Sequence, residues 1–225
     1  MKNEYKQVET PSRSAFPIAT AGYPFIGAFA FATAVFALLG WALAAFLGLV
    51  ISFFTAWFFR DPDRVIPSQE KVFVSPADGR VLSVDTIEDS PFFDGTCRKI
   101  SIFMSIFNVH VNRVPFSGRI RRTAYHPGRF FSANLDKASL ENEHNAVFLE
   151  TEGGRNMTVV QIAGLVARRI ICRVQENDAV RRGQRFGMIC FGSRLDVYLP
   201  PDAVVTTAKG DRVKAGTSIL GEFPS

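Results

Sequence analysis

Three histidines, His110, His126 and His144, are the whole supply of imidazole in this chain. No HxH or HExxH spacing joins them, and Cys97, Cys172 and Cys190 form no CxxC pair. The sequence therefore offers no metal motif, and no glycine-rich loop follows a strand to cradle a nucleotide phosphate. Asp136-Lys137-Ala138 matches the three-residue core of a lipoyl acceptor site, a match short enough to arise by chance. The segment from Phe186 to Leu199 is different. Two strand-like runs, Phe186–Phe191 and Leu195–Leu199, are interrupted by Gly192-Ser193, with no turn-forming residues on either side to make a hairpin. Taken alone, such a Gly-Ser pair reads as a β-bulge.

Basic residues are clustered. Arg113, Arg119, Arg121, Arg122 and Arg129 occur in a stretch without any acid, and Arg168, Arg169, Arg173, Arg181, Arg182 and Arg185 form a second group. Attraction to anionic lipid, about 1 kcal/mol per basic residue near a membrane surface, accounts for them. Nucleic acid would be served by the same charge, but the segment described next favours lipid. A solvated face is the plain alternative.

The elements that must carry these residues differ sharply along the 225-residue chain, which is 47% hydrophobic and 21% charged. Between Arg13 and Arg60 there is no charged residue. Residues 17–59 are almost wholly apolar, about twice the roughly 20 residues that cross a bilayer as helix. Two helices over about 18–38 and 41–58, joined near Gly40-Trp41, are expected. Lys2, Lys6 and Arg13 flank one end and Arg60 and Arg64 the other, which puts both ends on the cytoplasmic side of a hairpin. A cleaved signal peptide is the competitor, because Ala42-Leu-Ala44 resembles a cleavage site. Its apolar region would end after about 7–15 residues, whereas this one runs on. A pair of helices lying in one leaflet would leave the same face exposed.

After Arg60 the chain reads as a β-rich domain of about 165 residues, one core in size. Strand-like runs fall at Lys71–Ser75, Arg80–Val84, Lys99–Ser105, Ala146–Glu150, Met157–Ala163 and Arg169–Val174, besides the two around Gly192-Ser193. In the last, Leu195, Val197 and Leu199 alternate with Arg194, Asp196 and Tyr198. A helical period is visible only over Asn134–Glu141. The expected division is thus an N-terminal segment 1–16, a helical hairpin 17–59 and a β domain 60–225. The three cysteines, an odd number without metal spacing, suit small buried side chains in a reducing compartment. An internal echo pairs Asp178 with Asp211, Val180 with Val213 and Gly183 with Gly216. With Ser75-Pro-Ala-Asp78-Gly79 it resembles a duplicated barrel-sandwich hybrid of the lipoyl type, ordinary turn chemistry being the alternative.

Pieces spread over nearly the whole chain after Thr10 resemble the phosphatidylserine decarboxylase proenzymes, in their short, membrane-hairpin form. They are Phe58-Phe59-Arg60-Asp61-Pro62, Ser75-Pro-Ala-Asp78-Gly79, the stretch Phe103–Pro115 around Asn108-Val-His110-Val-Asn-Arg113, and Tyr125-His126-Pro-Gly128. Asp136–Asn145, Gln161-Ile-Ala-Gly164 and Phe191-Gly192-Ser193 complete the set. Each is weak alone; their order and spacing together are specific.

The resemblance implies a zymogen of phospholipid biosynthesis that cuts itself between Gly192 and Ser193. Ser193 is the nucleophile and is converted into a covalent pyruvoyl group, the only cofactor, which takes the lipid amine as a Schiff base. The implied reaction turns phosphatidylserine into phosphatidylethanolamine and CO2. Asp78 matches the family's assisting aspartate, and His110 the first of two histidines that longer relatives carry three residues apart. Arg113 stands where the second would be, so His110 is the candidate base for self-cleavage and His144 the reserve. Implied partners are phosphatidylserine, anionic membrane lipid and a heterodimer of the chain's own products, 1–192 and 193–225. The implied location is the cell membrane, with the catalytic domain on its cytoplasmic side. A membrane-tethered lipoyl-like carrier or adaptor presenting Lys137, and a decarboxylase of another serine-headed lipid, are the alternatives. An adaptor has no use for cutting its own sheet.

Overall fold

A computed structural model describes residues 17–132, 141–165, 169–190 and 192–224. The helix expected over 134–141 lies outside them except for Glu141, and Lys137 lies outside them too. The chain divides between Asp63 and Arg64 into two compact units.

The first unit is a helical hairpin. Helix α1 (Tyr23–Leu38) opens with Pro24 in its first turn, where a missing N–H costs no helical bond. It ends in a tight turn at Gly40, and α2 (Ala42–Phe58) runs back beside it. The Ala19 N–H donates to the Phe59 carbonyl and the Asp61 N–H to the Pro17 carbonyl, both at 2.8 Å. Phe25 stacks on Phe59 at 5.6 Å, so the start of one helix meets the end of the other. Residues 20–38 are long and apolar enough to cross a membrane, by length and composition. The 17 residues of α2 span roughly 26 Å at 1.5 Å each. Phe31, Leu38, Leu43 and Phe53 are exposed along the pair.

The second unit is mainly β. Its strands are β1 (Val72–Val74), β2 (Gly79–Ile87), β3 (Cys97–Met104), β4 (Val111–Arg113), β5 (Gly118–His126), β6 (His144–Thr151) and β7 (Asn156–Ala163). They continue with β8 (Ile170–Cys172), β9 (Ala179–Val180), β10 (Arg185–Ile189), β11 (Ser193–Leu199), β12 (Val204–Val205), β13 (Arg212–Val213) and β14 (Ile219–Glu222). Eight make one antiparallel sheet in the order β13-β2-β3-β11-β7-β6-β5-β9. Two three-stranded sheets, β1-β14-β12 and β4-β10-β8, accompany it. Phe73, Phe186, Ile189 and Leu220 from these share a core with Ile100, Ile102, Leu195, Val197 and Leu199 of the large sheet. A smaller cluster, including Phe92, Ala146, Val160, Ile162 and Tyr198, covers the opposite face.

The strand-like runs of the sequence all contain strands, and three features are instructive. First, β11 is buried on both faces, so that Arg194, Asp196 and Tyr198 are enclosed like the Leu195, Val197 and Leu199 with which they alternate. Second, β5 lies within the first basic cluster and escaped notice because a bulge between Ile120 and Arg122 breaks its period. Third, β9, β12 and β13 have two residues each, too few for any periodic signal. The echoed segments nevertheless occupy corresponding places. Val180 of β9 pairs with Gly118 at one edge of the large sheet, and Val213 of β13 pairs with Gly79 at the other. The Asp178 carbonyl accepts from the Ile120 N–H, and the Asp211 carbonyl accepts from the Val81 N–H. The three cysteines are free thiols, with Cys97 and Cys190 buried.

Candidate active site

Strand β11 is central, and Ser193 is its first residue. Ser193 pairs with Met104 at the end of β3 and with Ala163 at the end of β7. Its side chain is fully buried, on the face that carries Leu195 and Val197. Its hydroxyl donates to the Met104 sulfur at 3.4 Å, a weak acceptor. Gly192 stands immediately before it with φ +69°, in the left-handed region. A residue with a Cβ pays about 1–2 kcal/mol there, so glycine holds the turn that delivers the chain to the sheet.

His110 comes from the segment just before β4 and is fully buried. Its Nδ1 lies 2.9 Å from the Asn108 carbonyl, which can only accept, so Nδ1 carries the proton. Nε2 is then left with a lone pair, and it accepts from the Gly192 N–H at 3.4 Å. A buried imidazole in the tautomer of a base thus adjoins the residue on which the resemblance places the cut.

Beneath Ser193 runs a polar chain that the sequence reading assigned no role. Asn145 donates to the Gln161 Oε1 at 3.1 Å, and Gln161 Nε2 donates to the Asn112 Oδ1 at 2.8 Å. Asn112 in turn points its amide at the Met104 sulfur, 3.8 Å away. Asn112 and Gln161 are fully buried. The available signal was their polarity inside otherwise apolar runs, within two of the matching motifs.

The other expected residues sit elsewhere. Asp78 immediately precedes β2, at the same end of the sheet as Ser193 but two strands away, about 10 Å of strand spacing. Its carboxylate takes Arg64 at 2.9 Å and the Ala215 N–H at 2.8 Å. His144 of β6 shares a row with Ile162 and Arg194 and therefore faces away from Ser193. It packs against Phe92 at 5.3 Å and stacks on His126 at 4.9 Å. Burial holds its pKa below the ordinary histidine value, assisted by His126 and opposed by its hydrogen bond to the Asn142 carbonyl. Arg113 gives its guanidinium to the Gly183 carbonyl at 3.0 Å.

Three further features bear on the chemistry. Burial pushes the Cys190 thiol, two residues before Gly192, up to about 11 against the opposing charge of Arg169. It stays protonated at neutral pH and is no nucleophile there. Among the described residues, the basic groups are not all on the surface. Arg113 and Arg185 are buried, and Arg182 donates to the Val72 and Pro67 carbonyls at 2.6 and 2.7 Å. No group of three metal-ligating side chains occurs among the described residues.

Comparison with known proteins gives first a class and then a family. A chain from Syntrophus aciditrophicus, strain SB, is 52% identical over 208 residues, covering 92% of this chain and 97% of its own length. One from Syntrophotalea carbinolica is 49% identical over 205 residues, covering 91% and 96%. One from Nitrosomonas europaea is 50% identical over 207 residues, covering 92% and 95%. Each of these relatives is named a phosphatidylserine decarboxylase proenzyme, and the class is therefore an enzyme, a carboxy-lyase. The family model described as phosphatidylserine decarboxylase matches residues 51–221. The chain belongs to the phosphatidylserine decarboxylase family.

Proposed function

We propose that this chain is a proenzyme that cuts itself between Gly192 and Ser193 and, once cut, decarboxylates phosphatidylserine to phosphatidylethanolamine. The observation that carries the reading is a buried serine heading a central strand, preceded by a glycine at positive φ that donates to an unprotonated His110 Nε2.

The steps follow from these groups. Rotation of the Ser193 side chain exchanges a weak sulfur acceptor for the imidazole, and His110 takes the hydroxyl proton. Ser193 Oγ attacks the Gly192 carbonyl carbon. The C–N bond breaks, His110 returns its proton to the departing nitrogen, and an ester replaces the amide. Loss of the Ser193 Cα proton then expels the Gly192 carboxylate by β-elimination. The dehydroalanine left on the smaller chain takes up water and loses ammonia, leaving a ketone at position 193.

The surroundings fit such a group. Met104 and Ala163 flank position 193, and Asn112 and His110 bring polar atoms to an otherwise apolar face. A pyruvoyl group supplies a carbonyl for the substrate's serine amine and an electron sink for the departing CO2, the task pyridoxal phosphate performs elsewhere. His110 holds a nitrogen beside it, and the Asn112–Gln161–Asn145 chain keeps Met104 and β7 in place. Asp78 is read as a positioning residue that fixes Arg64 and the Ala215 backbone at this end of the sheet.

The two products, 1–192 and 193–225, stay together as a heterodimer on this reading. The smaller piece buries Leu195, Val197, Leu199, Leu220 and Phe223, each worth about 1.5–3 kcal/mol. The matched edges β9 and β13 support a duplicated, barrel-sandwich-like domain. Incubation with phosphatidylserine vesicles should yield phosphatidylethanolamine and CO2 in equal amounts, and cyanoborohydride in the presence of lipid should join the lipid to the 33-residue piece. A lipid adduct on the larger piece, or release of CO2 only from another serine-headed lipid, would reject the assignment.

The hairpin is read as anchored in the cell membrane, with the β domain on the cytoplasmic side. Exposed Phe31, Leu38, Leu43 and Phe53 support this, as do the basic residues flanking the apolar stretch. Both pieces should resist washing of membranes with 1 M salt, in which exposed charge contacts are screened within about 3 Å, and should leave together in detergent. Recovery of the larger piece after salt alone contradicts a spanning hairpin.

A further inference from the structure

Ser193 is held from both sides in the uncut chain, but after the proposed cut only its bond to Arg194 remains. A free strand end frays, and a strand can slip in register unless its side chains forbid it. We propose that Arg194 and Asp196 are positioning residues that lock the new end of β11, and so keep position 193 in place after cleavage. This inference rests on the reading of Gly192-Ser193 as the cut.

Arg194 is 1% exposed and Asp196 fully buried, on the face of the sheet opposite Ser193. The guanidinium meets the Asp196 carboxylate with two hydrogen bonds, at 2.6 and 3.1 Å. Both residues belong to the smaller product, so that pair alone fixes only the local strand. Links also cross to the larger product. Arg194 donates to Ser101 Oγ at 2.8 Å, and Asp196 faces Lys99 Nζ at 3.4 Å. Ser101 and Lys99 both lie on β3, the neighbour of β11. Burial, with the Asp196 charge behind it and the Arg194 charge opposing, holds the Tyr198 phenol far above its ordinary pKa.

The arrangement sets register through cost. A slip of one residue would turn Arg194 and Asp196 to the face of Leu195, Val197 and Leu199, burying charges among apolar side chains. Of the two possible slips by two residues, the one that moves Asp196 from opposite Ser101 to opposite Phe103 would carry Asp196 away from Lys99 and Arg194 away from Ser101. Hydrophobic residues at these positions would bury as well but would tolerate the second slip. Charged groups in the strand beside the reacting position are thereby accounted for, whereas the mechanism above uses neither.

The test separates the uncut from the cut protein. Arg194→Lys, Ser101→Ala and Arg194→Met are made in the full chain, and each again with Ser193→Ala, which removes the nucleophile. Expected in the cut protein is at least tenfold faster amide hydrogen exchange at residues 194–196 for Arg194→Met, with a smaller rise for Ser101→Ala. The value of kcat should fall about tenfold with KM little changed, and Arg194→Lys should recover part of it. Self-cleavage should proceed within about threefold of wild type. In the uncut Ser193→Ala background, exchange should barely change. If Arg194→Met fails to fold, Ser101→Ala decides, since it removes a crossing bond without stranding a charge. Equal acceleration of exchange before and after cutting, or unchanged exchange and kcat in the cut Ser101→Ala and Arg194→Lys proteins, overturns the lock. A wild-type chain that never cuts overturns both this inference and the reading beneath it, and is recognised at once by its intact mass.

Discussion

Ser193→Ala protein should be recovered as one uncut chain with no decarboxylase activity, while the wild type resolves under denaturing conditions into pieces of 192 and 33 residues. The smaller wild-type piece should have a blocked amino terminus that reacts with carbonyl reagents. Alanine lacks the oxygen that must accept the Gly192 acyl group, so the first bond of the sequence cannot form and no later step has a substrate. The expected effect is complete loss, because nothing else at the site can substitute. Cys190 is the nearest alternative nucleophile in sequence, and its thiol is held protonated by burial. The substitution is small and Ser193 makes only a weak bond to Met104, so the fold should survive and the melting temperature should change little. A Ser193→Ala chain that still divides at this position, or an intact wild type with full activity, sinks the mechanism.

Replacing His110 should slow maturation by roughly 10²–10⁴-fold, the range typical of a positioned acid–base group. His110→Gln is the informative substitution, since its amide can still reach hydrogen-bond partners in the buried pocket but cannot accept a full proton. Quantitative mass spectrometry of a pulse of newly made protein gives the rate directly. His144→Gln serves as the contrast. His144 faces away from Ser193, and the cleavage rate of that variant should stay within a fewfold of wild type. Asp78→Asn should fall between the two, because Asp78 acts through Arg64 and the Ala215 backbone. Normal maturation in His110→Gln together with a large loss in His144→Gln would reverse the assignment. Turnover is measured separately on protein already cut, because one imidazole can serve both reactions.

The divided composition of the chain was legible at once. A stretch without charge over residues 14–59 can only be buried in itself or in lipid, and it forms the two helices expected of it. The strands flanking Gly192-Ser193 were visible because β-branched and aromatic residues with no intervening turn leave the chain extended. The proposed cut was not deducible from those residues alone. It came from the order and spacing of motifs along the whole chain, each a short polar or glycine-bearing interruption of an apolar run.

What only the tertiary structure decided is which distant segments share a face. Asn112 and Gln161 are 49 positions apart and become hydrogen-bonded because β4 and β7 converge beneath Ser193. His110 and His144 look equivalent as sequence, each buried and each bonded through Nδ1 to a carbonyl two residues before it. They are separated by topology: His144 sits on β6 of the large sheet, on the face away from Ser193, whereas His110 precedes β4 of another sheet and lies beside Gly192. In the sequence, Arg194 and Asp196 are only the residues that alternate with Leu195, Val197 and Leu199. They are buried because their charges satisfy each other and reach Ser101 and Lys99 on β3, and a bond between residues 93 positions apart leaves no trace in the period of either strand.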